Sequence, residues 1–370
     1  MYINLKNFDW ILTGSAVLLF AIGQTMLFST TSDVTFMSSL FIKQFISFFI
    51  ALSLYIFFSF FPYHSLRRYV VAIYLLGLFS LLLVGQIAPV IRGTTSRLTI
   101  YGSQIQPSEF MKVAIIITLA GLFARLSVTR LSLATSAVIV GVSVGLIAIE
   151  PDIGMAALIC LLWGTLIVFL GTSWRTVSLI LLLGVVVFVG SWFWLFADYQ
   201  KARLSTFIDP DRDPLGAGYN INQSIVAFGS GGLFGRGLGH GPQSQLKFLP
   251  EKHTDFILAS VGEELGFVGI CLITGLYAVL LWRIVDIVHI TKDPFGQYLA
   301  VSVFLTLLIS FFISAGMNMG LLPVTGIPLP LVSYGGSNLV STMILLGLVQ
   351  SVKHYSHWLR QPPLELTEVT

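Results

Sequence analysis

The sequence predicts an all-α integral membrane protein: a bundle of ten transmembrane helices with a large extracytoplasmic loop between helices 7 and 8. Apolar residues make up 55% of the 370 residues and charged residues only 10%, and the mean hydropathy is +0.89. A soluble chain of this length does not bury so much hydrocarbon. Apolar runs of about 20 residues, the length that crosses a hydrocarbon core of about 30 Å, recur along the chain.

These apolar runs define the predicted spans. They cover residues 9–29, 40–61, 69–90, 107–125, 132–149, 155–171, 175–197, 256–284, 297–321 and 334–353. Only Lys6 precedes the first run, and no small-residue cleavage site follows it, so it is interpreted as an uncleaved span and not as a signal peptide.

Positive charge is unevenly distributed among the connections. Arg67 and Arg68 follow the second predicted span, and cations also follow the fourth, sixth, eighth and tenth. Because cations favour the cytoplasmic side, both termini are predicted to be cytoplasmic and the 198–255 loop to be outside. That loop mixes Gly, Asp, Pro and Gln with apolar residues, which favours a short interfacial helix and ordered turns. Residues 1–370 are therefore predicted to form a single domain.

Composition excludes several classes of function. The net charge of +3 is too small to indicate a nucleic-acid partner. Cys160 and Cys271 both lie in apolar runs, which gives no basis for a disulfide framework or a thiolate metal site. No spacing of His, Cys, Asp and Glu is typical of a dedicated metal site.

Asp255 lies where the chain re-enters the membrane after the long loop. An acidic side chain at this position is costly unless it faces protein or water, so it is by default a candidate for function. The alternative is that Thr254 or Asp255 only caps the eighth span. Glu263 and Glu264 follow on the same span and point to different faces. Either this span projects above the lipid or its carboxylates face a polar cavity.

Further polar residues are predicted on the same outer side. Glu109 and Lys112 share one helix face, as a local ion pair would. A cation so close to a helix N-terminus opposes the dipole, which a neighbouring phosphate would offset. Asp152 follows Glu150 in either a simple turn or a carboxylate site. Arg92 and Arg97 break the charge rule and therefore suggest an anionic headgroup or pyrophosphate.

Two irregular segments and two histidines have less specific patterns. The glycine-rich run 229–241 lacks the Gly-Lys-Ser/Thr ending of a phosphate loop, so tight turns against the bundle are expected. Segment 322–336 has three prolines and no charge, which indicates a rigid re-entrant or interfacial hairpin. His240 and His253 are interpreted as solvent-exposed or hydrogen-bonded rather than catalytic.

Together, these motifs and their order resemble the SEDS family of shape, elongation and division proteins. The most specific are Gln106-Pro107-Ser108-Glu109, Pro151-Asp152-Ile153-Gly154, Asp213-Pro214-Leu215-Gly216-Ala217-Gly218-Tyr219, Gln243-Ser244-Gln245, Leu249-Pro250-Glu251-Lys252-His253-Thr254-Asp255-Phe256, Glu263-Glu264-Leu265-Gly266 and Pro328-Leu329-Pro330-Leu331-Val332-Ser333-Tyr334-Gly335-Gly336-Ser337. The short N-terminus and the 213–219 run favour the elongation member over its division paralogue.

The resemblance implies a peptidoglycan glycosyltransferase in the bacterial inner membrane. It implies polymerisation of lipid II beside a class B penicillin-binding protein that crosslinks the strands, within the elongation machinery. It also implies ten spans, a divalent cation (Mg²⁺ or Mn²⁺), Asp255 as the essential acid/base residue, and a central cavity lined by Glu109, Lys112 and Asp152. No motif departs from the family in a way that suggests an inactive enzyme.

A mechanism follows from these expectations. Asp255 is expected to take the proton of the attacking sugar hydroxyl, while Arg97, Lys112 or the cation stabilises the departing pyrophosphate. Displacement at an α-linked anomeric carbon then inverts the configuration. A lipid II flippase is the main alternative, but a transporter would place its site near the midplane between repeats. A non-catalytic scaffold is a third possibility, which the polar surroundings of Asp255 disfavour.

Overall fold

A computed structural model describes residues 8–30, 34–87, 98–100, 103–194, 196–209, 217–246, 248–249 and 251–356. Within these residues the chain is almost entirely helical, with one small antiparallel hairpin. The helices are α1 (Trp10–Thr30), α2 (Val34–Phe60), α3 (Leu66–Ile87), α4 (Pro107–Leu126), α5 (Arg130–Ile149), α6 (Ile153–Phe169), α7 (Trp174–Trp194), α8 (Asp198–Ile208), α9 (Ala217–Ser230), α10 (Pro242–Gln245), α11 (Ile257–Ile290), α12 (Pro294–Asn318) and α13 (Gly336–Ser356), and the hairpin strands are β1 (Leu98–Ile100) and β2 (Ser103–Ile105).

The predicted spans all coincide with long helices: α1 to α7 and α11 to α13. Seven helices in the described part are long and apolar enough to cross a membrane. The all-α membrane fold is therefore confirmed. The main differences are at helix ends: α2 begins six residues earlier than predicted, at Val34, and α11 continues six residues further, to Ile290. Between α7 and α11 the chain forms the shorter helices α8, α9 and α10.

One continuous apolar core holds the bundle together. The most extensive helix contacts are α2 with α13, α3 with α4, and α1 with α11. Gly347 brings α13 against α2, since a β-carbon there would lie 2.7 Å from the Tyr55 carbonyl oxygen. Helix α7 touches little but α6, and most of its apolar side chains are exposed. Such a helix is stable only in a hydrocarbon environment.

Polar contacts fix the end of the bundle at which α1 begins. Asp9 accepts a hydrogen bond from the Leu12 amide at 3.0 Å, so it caps α1. Its carboxylate also lies 2.7 Å from both Arg283 of α11 and Lys353 of α13. Asp9 is 2% exposed, and it therefore ties three helices together at a nearly dry site.

The glycine-rich run packs against a kink in α11, as its sequence predicts. Gly266 interrupts the helix with φ of 66°. The amides of Arg236 and Gly237 donate to the carbonyls of Glu263 and Glu264, each at 3.0 Å. We call residues 231–241 the glycine strap.

Close approach of two backbones explains the glycines of the strap. A β-carbon on Gly231 would lie 2.0 Å from the Gly262 carbonyl oxygen, and one on Gly235 would lie 2.1 Å from that of Glu264. Side chains at these two positions would therefore push the strap away from α11.

Candidate active site

Glu109 and Lys112 form a buried ion pair near the start of α4. Pro107 occupies the first helical turn, where its missing amide costs nothing. The Lys112 Nζ lies 2.6 Å from Glu109 Oε2. From α13, Asn338 donates to Oε1 at 2.9 Å and Ser341 donates to Oε2 at 2.8 Å. The Glu109 carboxylate therefore balances the Lys112 charge and also joins α4 to α13.

Asp152 caps α6 and also contacts the start of α4. Its Oδ1 accepts from the Met155 amide at 3.2 Å. Its Oδ2 accepts from Gln106 at 2.6 Å and from Ser108 at 3.0 Å. Burial raises the pKa of Asp152, against the lowering effect of these hydrogen bonds. The turn predicted from sequence is thus present, and its carboxylate joins the starts of α4 and α6.

Glu150, two residues before Asp152, has a different environment. It is 2% exposed, and neither carboxyl oxygen accepts a hydrogen bond. Burial, and then the charge of Asp152, raise the pKa of Glu150 to about 8. A carboxyl group in this environment holds its proton at neutral pH.

Asp255 lies in the turn that precedes α11 and is half-buried. Its Oδ2 is 3.8 Å from the position that a β-carbon on Gly326 would occupy. A β-carbon on Gly154, at the start of α6, would lie 2.3 Å from the Thr325 carbonyl oxygen. The Thr325-Gly326 turn therefore lies between Asp255 and the helix that Asp152 caps.

The structure places the N-cap of α11 at Phe256, after the two residues predicted as caps, Thr254 and Asp255. The N-cap position is Phe256, and no side chain of that residue caps the helix. Instead, the Ala259 amide in the first turn donates to Asn318 Oδ1 at 2.9 Å. The cap thus comes from α12, a partner distant in sequence.

The segment 319–335, between α12 and α13, has no regular secondary structure, as the three prolines of the predicted segment 322–336 led us to expect. Leu329, Leu331 and Val332 are buried. Tyr277 of α11 donates a hydrogen bond to the Pro330 carbonyl. Protein thus covers the non-helical backbone at residues 329–332, as a membrane environment requires of irregular structure.

Glu263 and Glu264 are fully buried. They therefore face neither water above the lipid nor a polar cavity, which were the two alternatives predicted from sequence. Glu263 accepts hydrogen bonds from the Gln243 and Ser244 amides at 2.7 and 2.9 Å. Glu264 accepts from the Gln245 side chain at 2.9 Å. Both glutamates therefore hold the returning loop against α11. The sequence did not reveal this because the donors are loop amides.

Among the predicted site residues, Glu109, Lys112 and Asp152 gather at the start of α4, with Asp255 across the Thr325-Gly326 turn. Arg97, and with it Arg92, lies outside the described residues. Five polar residues of this region had no role assigned from sequence. They are Ser108, Asn318, Ser337, Asn338 and Ser341. The sequence did contain an indication of these residues, because polar side chains inside or beside apolar spans need hydrogen-bond partners.

The two histidines have hydrogen-bond partners, as expected. Nδ1 of His240 lies 2.9 Å from the Leu238 carbonyl, and Nδ1 of His253 lies 3.0 Å from the Thr30 hydroxyl. Burial, and then Lys252, lower the pKa of His253 to about 4. A neutral imidazole there supports the interpretation of His253 as structural.

The described residues bring together no preformed cluster of three or more typical metal ligands. No group of three or more His, Cys, Asp or Glu side chains is placed to hold an ion in this part of the chain. Both oxygens of Glu109 and of Asp152 already accept hydrogen bonds from protein donors. These carboxylates therefore already contribute to the packing of the helices.

Comparison with known proteins gives the family. The cell cycle protein family of FtsW, RodA and SpoVE matches residues 9–358. Peptidoglycan glycosyltransferase MrdB of Escherichia coli strain K12 is 40% identical over 287 residues, which are 76% of this chain and 76% of that protein.

Solved structures share the fold. One comes from a peptidoglycan synthase complex that coordinates polymerization and crosslinking; it has a TM-score of 0.80 and 29% identity, and covers 95% of this chain and 98% of its own. Rod shape determining protein RodA of Thermus thermophilus has a TM-score of 0.71 and 25% identity over the same shares of the two chains. The chain is a multi-pass membrane protein that belongs to the SEDS family, which comprises the FtsW, RodA and SpoVE proteins.

Proposed function

We propose that this protein is a peptidoglycan glycosyltransferase that polymerises lipid II into glycan strands during cell elongation and cell-shape maintenance. The observation that carries the proposal is a half-buried carboxylate, Asp255, which lies across the Thr325-Gly326 turn from the helix that Asp152 caps, in an otherwise apolar bundle. Membership of the SEDS family and the activity named for MrdB of Escherichia coli support the same reaction.

Asp255 is the proposed general base. A sugar hydroxyl is a poor nucleophile until a carboxylate takes its proton as the new bond forms. Asp255 accepts the proton of the 4-hydroxyl of the incoming lipid II. The hydroxyl oxygen then attacks the anomeric carbon of the other substrate, the sugar that carries the pyrophosphate. The bond from this carbon to the pyrophosphate breaks, and the electron pair leaves with the phosphate. Attack opposite an α-linked leaving group produces a β linkage.

The remaining predicted residues have supporting roles. Lys112 is 2% exposed and paired with Glu109, so the pair sets the charge of the cavity wall beside the leaving group. Asp152 holds the start of α4 through Gln106 and Ser108. Arg97 is the proposed contact of the departing pyrophosphate, because a guanidinium binds phosphate oxygens in a bidentate manner.

The family resemblance is also the basis for proposing a divalent cation. Mg²⁺ usually keeps several waters and binds through one or two carboxylates together with substrate phosphates. If such an ion takes part, it arrives with the pyrophosphate of lipid II and not in a preformed cage. Loss of polymerisation on chelation, and recovery with Mg²⁺ or Mn²⁺, would support this proposal. Unchanged activity on chelation would show that the reaction needs no divalent cation.

The proposed topology places ten helices across the bacterial inner membrane, with α8 to α10 outside. Both termini are cytoplasmic and Asp255 faces the outside. The distribution of Lys and Arg supports this orientation. A class B penicillin-binding protein is the proposed partner, supported by the similarity to a chain of a peptidoglycan synthase complex.

Polymerisation of labelled lipid II by the purified protein and its partner tests the function. Asp255→Asn is expected to abolish the glycan product while the protein stays folded. The exposed Asp198 supplies a matched control, and Asp198→Asn should retain activity. Wild-type product from Asp255→Asn would contradict the general-base role.

A flippase would give a different result. It would move labelled lipid II between the leaflets of proteoliposomes without forming polymer. Polymer formation with no change in leaflet distribution is the expected outcome.

A further inference from the structure

Three successive backbone carbonyls around Asp255 each accept a hydrogen bond from the same region of the fold. The His253 carbonyl accepts from the Tyr334 amide at 2.8 Å. The Thr254 carbonyl accepts from the Ser333 hydroxyl at 2.7 Å, and that of Asp255 accepts from Asn318 Nδ2 at 2.8 Å. All three donors lie at the ends of the segment between α12 and α13.

Asn318 is the central member of this set. It is fully buried at the last residue of α12. Its amide nitrogen also donates to the Ser314 carbonyl at 2.8 Å, and its Oδ1 accepts from the Ala259 amide. An amide nitrogen has two protons, and here both are used within the protein. Asn318 therefore fixes the carbonyl before α11 and the first turn of α11 at once.

We propose that Asn318 is a positioning residue for Asp255, and that Ser333 assists it by holding the preceding carbonyl. This inference rests on the proposed function of Asp255 as general base. Three hydrogen bonds to the consecutive carbonyls of residues 253–255 fix the backbone of the turn and so restrict the direction in which the Asp255 side chain leaves it. A base misplaced by about 1 Å can lower the rate about 100-fold.

Substitution of Asn318 by Asp tests the proposal with little change in size. The change keeps an acceptor for the Ala259 amide, but a carboxyl has at most one proton, so the two donated hydrogen bonds cannot both remain. We expect kcat for lipid II polymerisation to fall about 10- to 100-fold, with KM within about threefold because Asn318 does not line the cavity. The acidic limb of the kcat–pH profile should keep its position, because a carboxyl buried against two carbonyl oxygens holds its proton and adds no charge near Asp255.

Ser314 provides a matched control one turn earlier on the same helix. Its hydroxyl is buried and makes no hydrogen bond, so Ser314→Ala removes a buried polar atom without removing a contact. Its kcat and pH profile should match those of the wild type. Thermal melting in detergent identifies any variant that loses its fold.

Ser333→Ala keeps the proposal testable if the Asn318 variant does not fold. It removes the hydrogen bond to the Thr254 carbonyl from a residue outside the helices, and kcat should fall at unchanged KM. The proposal is overturned if folded Asn318→Asp, or Ser333→Ala in its place, keeps kcat within about twofold of the wild type. Asp255→Asn in the same assay separates the general-base role of Asp255 from the positioning role of Asn318. If Asp255→Asn is active, Asp255 is not the general base and the proposed function itself fails.

Discussion

The ammonium group of Lys112 lies 2.6 Å from the carboxylate of Glu109, and each side chain is only 2% exposed. Two opposite charges so far from water are tolerated because each is the other's partner. Asn338 and Ser341 satisfy the remaining lone pairs of the carboxylate. The pair is therefore a joint between α4 and α13 at the wall of the proposed cavity.

Replacing one member of this pair should lower the free energy of unfolding more than replacing both. Lys112→Met leaves the Glu109 carboxylate buried without its cation, and we expect a loss of about 3–5 kcal/mol in unfolding free energy. In the double variant Glu109→Gln with Lys112→Met the buried charge is absent, so most of this loss should be recovered. Unfolding in detergent measures both. A double variant as unstable as the single one would contradict a charge-based cost.

Asp9 should make stability depend on acid pH. Burial by itself would raise the pKa of Asp9, but hydrogen bonds from Arg283 and Lys353 outweigh it and lower the pKa below 3.8. The stabilisation is thus complete above about pH 4 and is lost as the pH falls through the folded-state pKa.

Replacing Asp9 removes this dependence. Asp9→Asn should cost about 1–3 kcal/mol at pH 7, and this cost should shrink as the pH falls from 4 to 3. Melting temperatures of both proteins at the two pH values check this prediction. Equal differences at both would show that the carboxylate charge is not involved.

Glu150 should have the opposite effect on the pH dependence of stability. Its folded pKa of about 8 lies above the ordinary value of 4.5, so stability falls as the pH rises between these two values. Glu150→Gln cannot ionise and should gain about 1–3 kcal/mol over the wild type at pH 8, with little difference at pH 4.5. Melting at the two pH values tests this, with Asp198→Asn as the exposed control. A gain that is the same at both values would rule out burial of the ionised carboxyl.

The glycine strap should be intolerant of a single methyl group at Gly231. Gly231→Ala would place a β-carbon against the Gly262 carbonyl, and we expect a loss of about 1–3 kcal/mol with faster proteolysis within residues 231–241. Gly229, two residues earlier in α9, has open space around it. Gly229→Ala should leave stability unchanged or slightly higher. Equal stability and equal proteolysis of the two variants would contradict this prediction, because the strap could then shift away from α11 without loss of stability.

Periodicity and composition determined the all-α membrane class and the positions of the long helices, because a helix long enough to span a membrane must be apolar over about 20 residues. The same reasoning identified Asp255, Glu109, Lys112 and Asp152 as unusual, since charge near lipid requires a partner. The tight turns of the glycine run and the irregular 319–335 segment also followed from local chemistry.

Tertiary structure alone decided which partner each charge has. Glu263 and Glu264 face neither water nor a cavity, because a loop folds back and supplies its amides to them. Asn318 caps a helix that begins 60 residues before it and holds the carbonyl of Asp255. Such contacts join segments far apart in the chain, and hydrophobic periodicity reports only which face of a helix is apolar, not which distant donor that face meets.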